Sequence, residues 1–222
     1  MAGQMIEYPS NGSTAKGYLT GGGPGVVVIQ EWWGLNDQIK GVADMLAGEG
    51  FTALAPDFYH GSLAGLNEPD EAGKLMMALD IDRAAKDARG AATELAKRSG
   101  GKVGVVGFCM GGQLALLTGT VAPDQVGAVV DCYGGHPAVK PDYAALKAPV
   151  LGIFAGHDDH VNEEVRTQLA KTLSNAGAEH SFHVYPDAEH GFLNDQRPDA
   201  YRPDDARDAW SKIIGFYREH LS

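Results

Sequence analysis

The residues most able to do chemistry begin with Gly107-Phe108-Cys109-Met110-Gly111-Gly112. A short, mostly apolar run, Lys102-Val103-Gly104-Val105-Val106, reads as a buried strand before it, and Gln113-Leu114-Ala115-Leu116-Leu117 reads as helix after it. A strand that enters a helix through Gly-x-Cys-x-Gly is an elbow that carries a nucleophile on a tight, strained turn. The flanking glycines leave room for backbone that a side chain would block. Serine is the usual occupant, and cysteine stands here. A thiol has a reference pKa of about 8.5 and is the stronger nucleophile once deprotonated, so the geometry is kept while the chemistry becomes that of a thiolate.

Three other polar clusters follow apolar runs: Gln30-Glu31-Trp32-Trp33-Gly34, Gly156-His157-Asp158-Asp159-His160-Val161 and Glu189-His190-Gly191-Phe192. In an open parallel sheet the ligand site lies beyond the carboxyl ends of the strands, where these clusters fall. With Cys109 they supply nucleophile, acid and histidine in the chain order of such an elbow. The histidine can accept the thiol proton and later return it to a leaving oxygen, while Asp158 or Asp159 fixes its tautomer. The four polar residues at 157–160 follow no strong zinc spacing, and the glycines around Cys109 do not form a phosphate-cradling motif, so neither metal nor cofactor is expected. Cys132 reads as a buried, inert thiol.

The elements that must position these groups alternate along the chain. Ile6-Glu7-Tyr8 and Gly17-Tyr18-Leu19 flank a turn at Ser10-Asn11-Gly12 and predict an antiparallel pair at a sheet edge. Val26–Ile29, Phe51–Ala55, Ala128–Asp131, Val150–Phe154 and Ser181–Tyr185 read as further strands, the first a continuous β-branched run of the kind covered on both faces. Helices are predicted after Asn36 or Asp37, over Glu71–Lys97, after Asn162, and after Pro203, where Trp210, Ile213, Ile214, Tyr217 and Leu221 form a stripe. The alternation predicts an α/β chain: a three-layer αβα sandwich with a mostly parallel sheet, formed by residues 1–222 as one domain without a separate lid domain.

A chain of 222 residues can bury roughly 70% of the surface that its unfolded form exposes. Two cysteines make no disulfide framework, and no leader precedes the first polar turn, so a reducing, cytoplasmic setting is the expectation. No stretch is apolar for long enough to cross a bilayer. A formal charge of -11 offers no basic footprint for nucleic acid. The expected partner is a small molecule, and the chain is expected to be a monomer or a small homo-oligomer.

The clusters together resemble the dienelactone hydrolase (carboxymethylenebutenolidase) family of the α/β-hydrolase fold. Gln30–Gly34, Pro56-Asp57-Phe58-Tyr59, Gly107–Gly112 and Glu189–Phe192 match its motifs in order. The resemblance implies a triad of Cys109, Asp158 and His190, Asp158 being chosen over Asp159 because it stands three residues before Val161. It also implies that Glu31 gates the thiol and that the backbone N–H groups of Met110 and Trp32 hold the oxyanion. The pocket would be lined by Trp33, Tyr59, His60, Phe192 and Asn194. Two arginines that hold a substrate carboxylate in the best-known relatives are replaced here by Gly61 and Asn194, which leaves Arg197, Arg202 and His60 as other cations. The activity implied is hydrolysis of small lactones or activated esters through an acyl-thioester. The alternatives are a broad carboxylesterase or thioesterase and a thiol redox sensor on a hydrolase fold.

Overall fold

A computed structural model describes residues 3–10 and 12–221; Asn11 of the predicted first turn lies outside them. The elements are β1 (Gln4–Ser10), β2 (Ser13–Gly21), β3 (Gly25–Ile29), α1 (Asp37–Gly48), β4 (Thr52–Pro56), α2 (Pro69–Met77) and α3 (Ile81–Ser99). There follow β5 (Val103–Phe108), α4 (Met110–Val121), β6 (Val126–Cys132), a 3-10 turn (Tyr143–Ala145), β7 (Val150–His157), α5 (Glu163–Asn175), β8 (His180–Glu189) and α6 (Pro203–His220). One eight-stranded sheet runs in the order β1-β2-β4-β3-β5-β6-β7-β8. β1 pairs antiparallel with β2 and β2 with β4, and every later pair is parallel.

The parallel strands β3, β4 and β5 are apolar throughout because both faces are covered. On one face Val27, Ile29, Val105 and Val129 pack against α3, α4 and Leu173 of α5. On the other Val28, Val106 and Val130 meet α1 and α6, whose Ala206, Ala209, Ile213 and Tyr217 are fully buried. This is the expected αβα sandwich. Asn36 caps α1 by accepting a bond from the Ile39 N–H at 3.1 Å, and Asn162 caps α5 in the same way through Val165.

Two expectations need correction. The stretch Glu71–Lys97 is not one helix: α2 ends at Met77, and Asp80 starts α3 by accepting the Arg83 N–H at 3.0 Å. The alanine-rich pattern continues across the break, but the capping carboxylate of Asp80 starts a separate helix. β7 and β8 also run further than their apolar cores, to His157 and Glu189, which brings polar residues to the sheet's carboxyl edge. Among the described residues, no helix is long and apolar enough to cross a membrane.

Candidate active site

Cys109 lies between β5 and α4 with φ 55° and ψ −125°, a left-handed conformation that a side-chain-bearing residue rarely adopts. Its neighbours explain how the turn is held. A Cβ on Gly107 would lie 1.8 Å from the Gly111 carbonyl oxygen, and one on Gly111 would lie 2.3 Å from that of Gln30. Only glycine allows the strand, the helix start and the adjacent β3 end to approach so closely. The Cys109 N–H donates to the Cys132 carbonyl at 3.1 Å, and the Cys109 carbonyl accepts from Gly112 and Gly135 at 2.9 and 3.2 Å. Met110 is the first residue of α4, so its N–H has no partner within the helix and stands at the helix's positive end.

β8 delivers His190 to the same edge. Its Nδ1–H donates to Asp158 Oδ2 at 2.8 Å, and the ring lies close enough to the Cys109 sulfur for the two to act on each other's charge. Burial pulls the imidazole pKa down, but Asp158 and Cys109 outweigh it and push the value up to about 10. Asp158 is buried, and its other oxygen accepts the His160 and Val161 N–H groups at 2.8 and 2.9 Å. Burial would raise this carboxyl, yet the His190 bond and charge and the two backbone donors hold it below the usual carboxylate range. Asp159 is exposed. Arg166 of α5 closes the Asp158 loop by donating to the Ala155 and Val161 carbonyls, both at 2.8 Å. The arrangement can therefore move a proton between sulfur and imidazole while a fixed carboxylate holds the ring.

Glu31 follows β3 and is almost fully buried. Burial raises its pKa, opposed by a 2.8 Å hydrogen bond from Asn194 Nδ2 and by the charges of His190 and Arg197. The Trp32 ring meets Trp33 edge to face at 5.0 Å, and Trp33 is buried against Ala64 and Ala72. α2 thereby rests on the β3 loop. Its far end is tied to the β6 loop by His136, whose Nε2–H donates to the Met76 carbonyl at 3.2 Å while Nδ1 accepts the Ala138 N–H at 3.1 Å. Since β3 and β6 flank β5, α2 spans the two loops that border the turn at Cys109. Tyr59 reaches this turn, its hydroxyl donating to Met110 Sδ at 3.2 Å. Burial and the nearby Cys109 push the phenol's pKa up.

Several expected pocket residues are engaged elsewhere. Phe192 is fully buried in the core beside α6, with its ring 5.8 Å from Tyr133 and 5.1 Å from Tyr185. Asn194 is also fully buried, one end of its amide held by Glu31 and the other accepting the Gln196 N–H at 3.0 Å. His60 turns to Asp87 of α3 at 3.4 Å, and Arg202 pairs with Asp205 at the start of α6. Arg197 stays close enough to act on Glu31 while pairing with Asp199 at 2.7 Å. Gly61 donates its N–H to Asp57 at 2.7 Å. Among the described residues, no cluster of His, Cys, Asp and Glu is arranged to hold a metal.

Sequence reasoning missed Tyr133, Arg166 and Asp131. Tyr133 has φ 43° and lays its ring 5.1 Å from that of His190. Its position at the end of a mostly apolar run and before Gly134-Gly135 was the available signal for a second strained strand end. Arg166 gave no signal in a polar helix, and Asp131 read only as a strand terminus.

Comparisons with known proteins agree on one group. The model of the dienelactone hydrolase family matches residues 16–221. Protein usf of Aquifex pyrophilus is 39% identical, covering 99% of this chain and 100% of its own. An Aquifex aeolicus protein named "Putative carboxymethylenebutenolidase" is 36% identical, covering 99% of both. Among solved structures, a "Putative Dienelactone Hydrolase" of Klebsiella pneumoniae superposes with a TM-score of 0.82 at 27% identity, over 99% of this chain and 100% of that one.

Proposed function

From the premise that the chain belongs to the dienelactone hydrolase family, we propose that it hydrolyses small lactones or activated esters with Cys109 as the nucleophile. The observation that carries this reading is the strained Cys109 turn beside a histidine that Asp158 holds at 2.8 Å. The Cys109 thiolate attacks the carbonyl carbon and a C–S bond forms. The carbonyl oxygen takes the negative charge between the N–H groups of Met110 and Trp32. As the C–O bond breaks, His190 gives its proton to the leaving oxygen, which leaves an acyl-thioester. Water then attacks that carbonyl, losing its proton to His190, and the thiolate departs as the acid is released.

Glu31 acts as the gate on the thiol. Its resting position is fixed by Asn194 rather than by an arginine, so a substrate needs no anionic group to compete for its partner. With Gly61 lacking a side chain and His60 turned to Asp87, no guanidinium fork is offered to a carboxylate from those positions. This favours neutral esters and lactones as substrates and makes a broad carboxylesterase the second reading.

The test is turnover of a panel containing a dienelactone acid, its neutral ester and simple activated esters, with wild type and Cys109→Ala. We expect release from the neutral ester at a kcat/KM no lower than from the acid, and loss of at least about 10³-fold in the folded variant. A folded Cys109→Ala protein that still turns over would remove the nucleophile. Modification of Cys109 without product release would indicate a thiol sensor instead.

A further inference from the structure

We propose that Asp131 is a positioning residue of the nucleophilic turn: its carboxyl, lodged beneath the first turn of α4, opposes negative charge at Cys109 and at the oxyanion N–H groups. This rests on the reading of Cys109 as nucleophile.

Asp131 is the penultimate residue of β6 and pairs in register with Gly107 of β5, two residues before Cys109. Alternation along the strand puts it on the same face as Val129, toward α4. The side chain is fully buried. A Cβ on Gly112 would fall 2.2 Å from Asp131 Oδ1, and one on Gly134 would fall 2.1 Å from it, so two backbone segments close over the oxygen. The Gly134 N–H lies alongside, but neither carboxyl oxygen makes a well-formed hydrogen bond, and no ion pair to it occurs among the described residues. A buried carboxyl without donors is costly to retain, and nothing in the triad uses it.

What it faces gives the physical role. Gly112 belongs to the first turn of α4, the positive end that must also accept the Cys109 sulfur and the oxyanion through the Met110 N–H. Two anions at one helix end repel each other in a poorly screened interior. Burial pushes the Asp131 pKa up to about 7, so both charge states are reached near neutral pH. Protonated Asp131 leaves the helix end to the thiolate, and ionised Asp131 competes for it. The other titratable groups around it are Tyr143 of the 3-10 turn and Cys132, both raised by burial and further by Asp131, together with Tyr133. Glu31 acts on Cys132 and Tyr133 from the β3 side. Before α4 stands Cys109, and from α4 itself comes the uncharged Gln113, which donates to the Tyr143 hydroxyl at 3.4 Å.

The experiment is the rate of Cys109 alkylation by iodoacetamide against pH, read by peptide mass spectrometry, in wild type and Asp131→Asn. We expect the variant to react about three- to tenfold faster at pH 8, with the two rates converging at pH 5, where Asp131 is protonated. A folded variant with a superimposable profile would overturn the proposal, since a purely structural role does not move thiol reactivity with pH. Should Asp131→Asn fail to fold, the Asp131 carboxyl is titrated by 13C NMR in wild-type protein capped at Cys109 with neutral iodoacetamide or anionic iodoacetate. The anionic adduct should raise the midpoint by roughly half a pH unit or more, and equal midpoints would overturn the proposal. Neither measurement uses an ester, so failure here is distinct from failure of the hydrolase reading, which Cys109→Ala turnover reports.

Discussion

Asp131 and Asp158 stand at the ends of two neighbouring strands, β6 and β7, and both are buried, yet the protein treats them in opposite ways. Asp158 accepts three hydrogen bonds, from His190, His160 and Val161, and is held below the usual carboxylate range. Asp131 has no well-formed bond and is pushed up to about 7. Burial raises both carboxyls, and what separates them is the partners that oppose it: His190 first and two backbone N–H groups after it at Asp158, and no well-formed bond at Asp131. After β7 the chain curls so that two N–H groups point at Asp158, and Arg166 pins the curl at both ends. After β6 the chain passes through Tyr133 in a left-handed conformation and closes Gly134 over the Asp131 oxygen. One carboxyl is equipped to stay charged beside a histidine, while the other is left to change charge beneath a thiol.

The sharpest way to break this contrast is to neutralise Asp158. Asp158→Asn should reduce kcat/KM by about 10³- to 10⁴-fold, the scale on which loss of the acid disables other triads, while the exposed Asp159→Asn stays within about threefold of wild type. Similar losses in the two variants would mean that the His190 contact is not what matters. A smaller effect is expected from Arg166→Ala, which removes both bonds that close the Asp158 loop. It should lower kcat by about tenfold with KM little changed, because the ring loses its fixed orientation and no substrate contact is deleted.

The smallest effect concerns stability. Asp131 keeps its proton to about pH 7 when folded but only to about 3.9 when unfolded. Between those values the folded chain binds more protons, so stability falls as pH rises and the penalty is complete above about pH 7. Asp131→Asn should therefore melt about 5 °C higher than wild type at pH 8 and within a degree or so of it at pH 4. An equal gain at both pH values would locate the effect in packing rather than charge.

The contrast was only half legible in the sequence. Strands such as Val26–Ile29 announce themselves because a run without polar residues has to be covered on both faces, and the Cys109 turn announces itself because close backbone approach leaves a pattern of glycines. The family resemblance preferred Asp158 to Asp159 for its place three residues before Val161, and the Val161 N–H donates to Asp158 at 2.9 Å. Contacts made across the chain left no local trace. Asn194 and Glu31 are 163 positions apart, and nothing near either residue states that one amide will occupy the other. His60 could not be seen turning to Asp87, nor Phe192 sinking into the core beside α6, since an aromatic residue after a strand end fits a pocket wall or a core equally well. The break between α2 and α3 was hidden because the apolar rhythm passes through Leu79 while the cap at Asp80 starts a new helix.

The glycines that enclose the Cys109 turn also set how this scaffold can change. A methyl group on Gly107, Gly111, Gly112 or Gly134 would meet a backbone or carboxyl oxygen at 2.3 Å or less, whereas the Cys109 side chain is partly exposed. Exchange of sulfur for oxygen at position 109 alters one atom at the rim of the turn and asks nothing of its frame. On the proposed reading the reacting atom is thus the most replaceable part of its own surroundings, while the four glycines around it are the least.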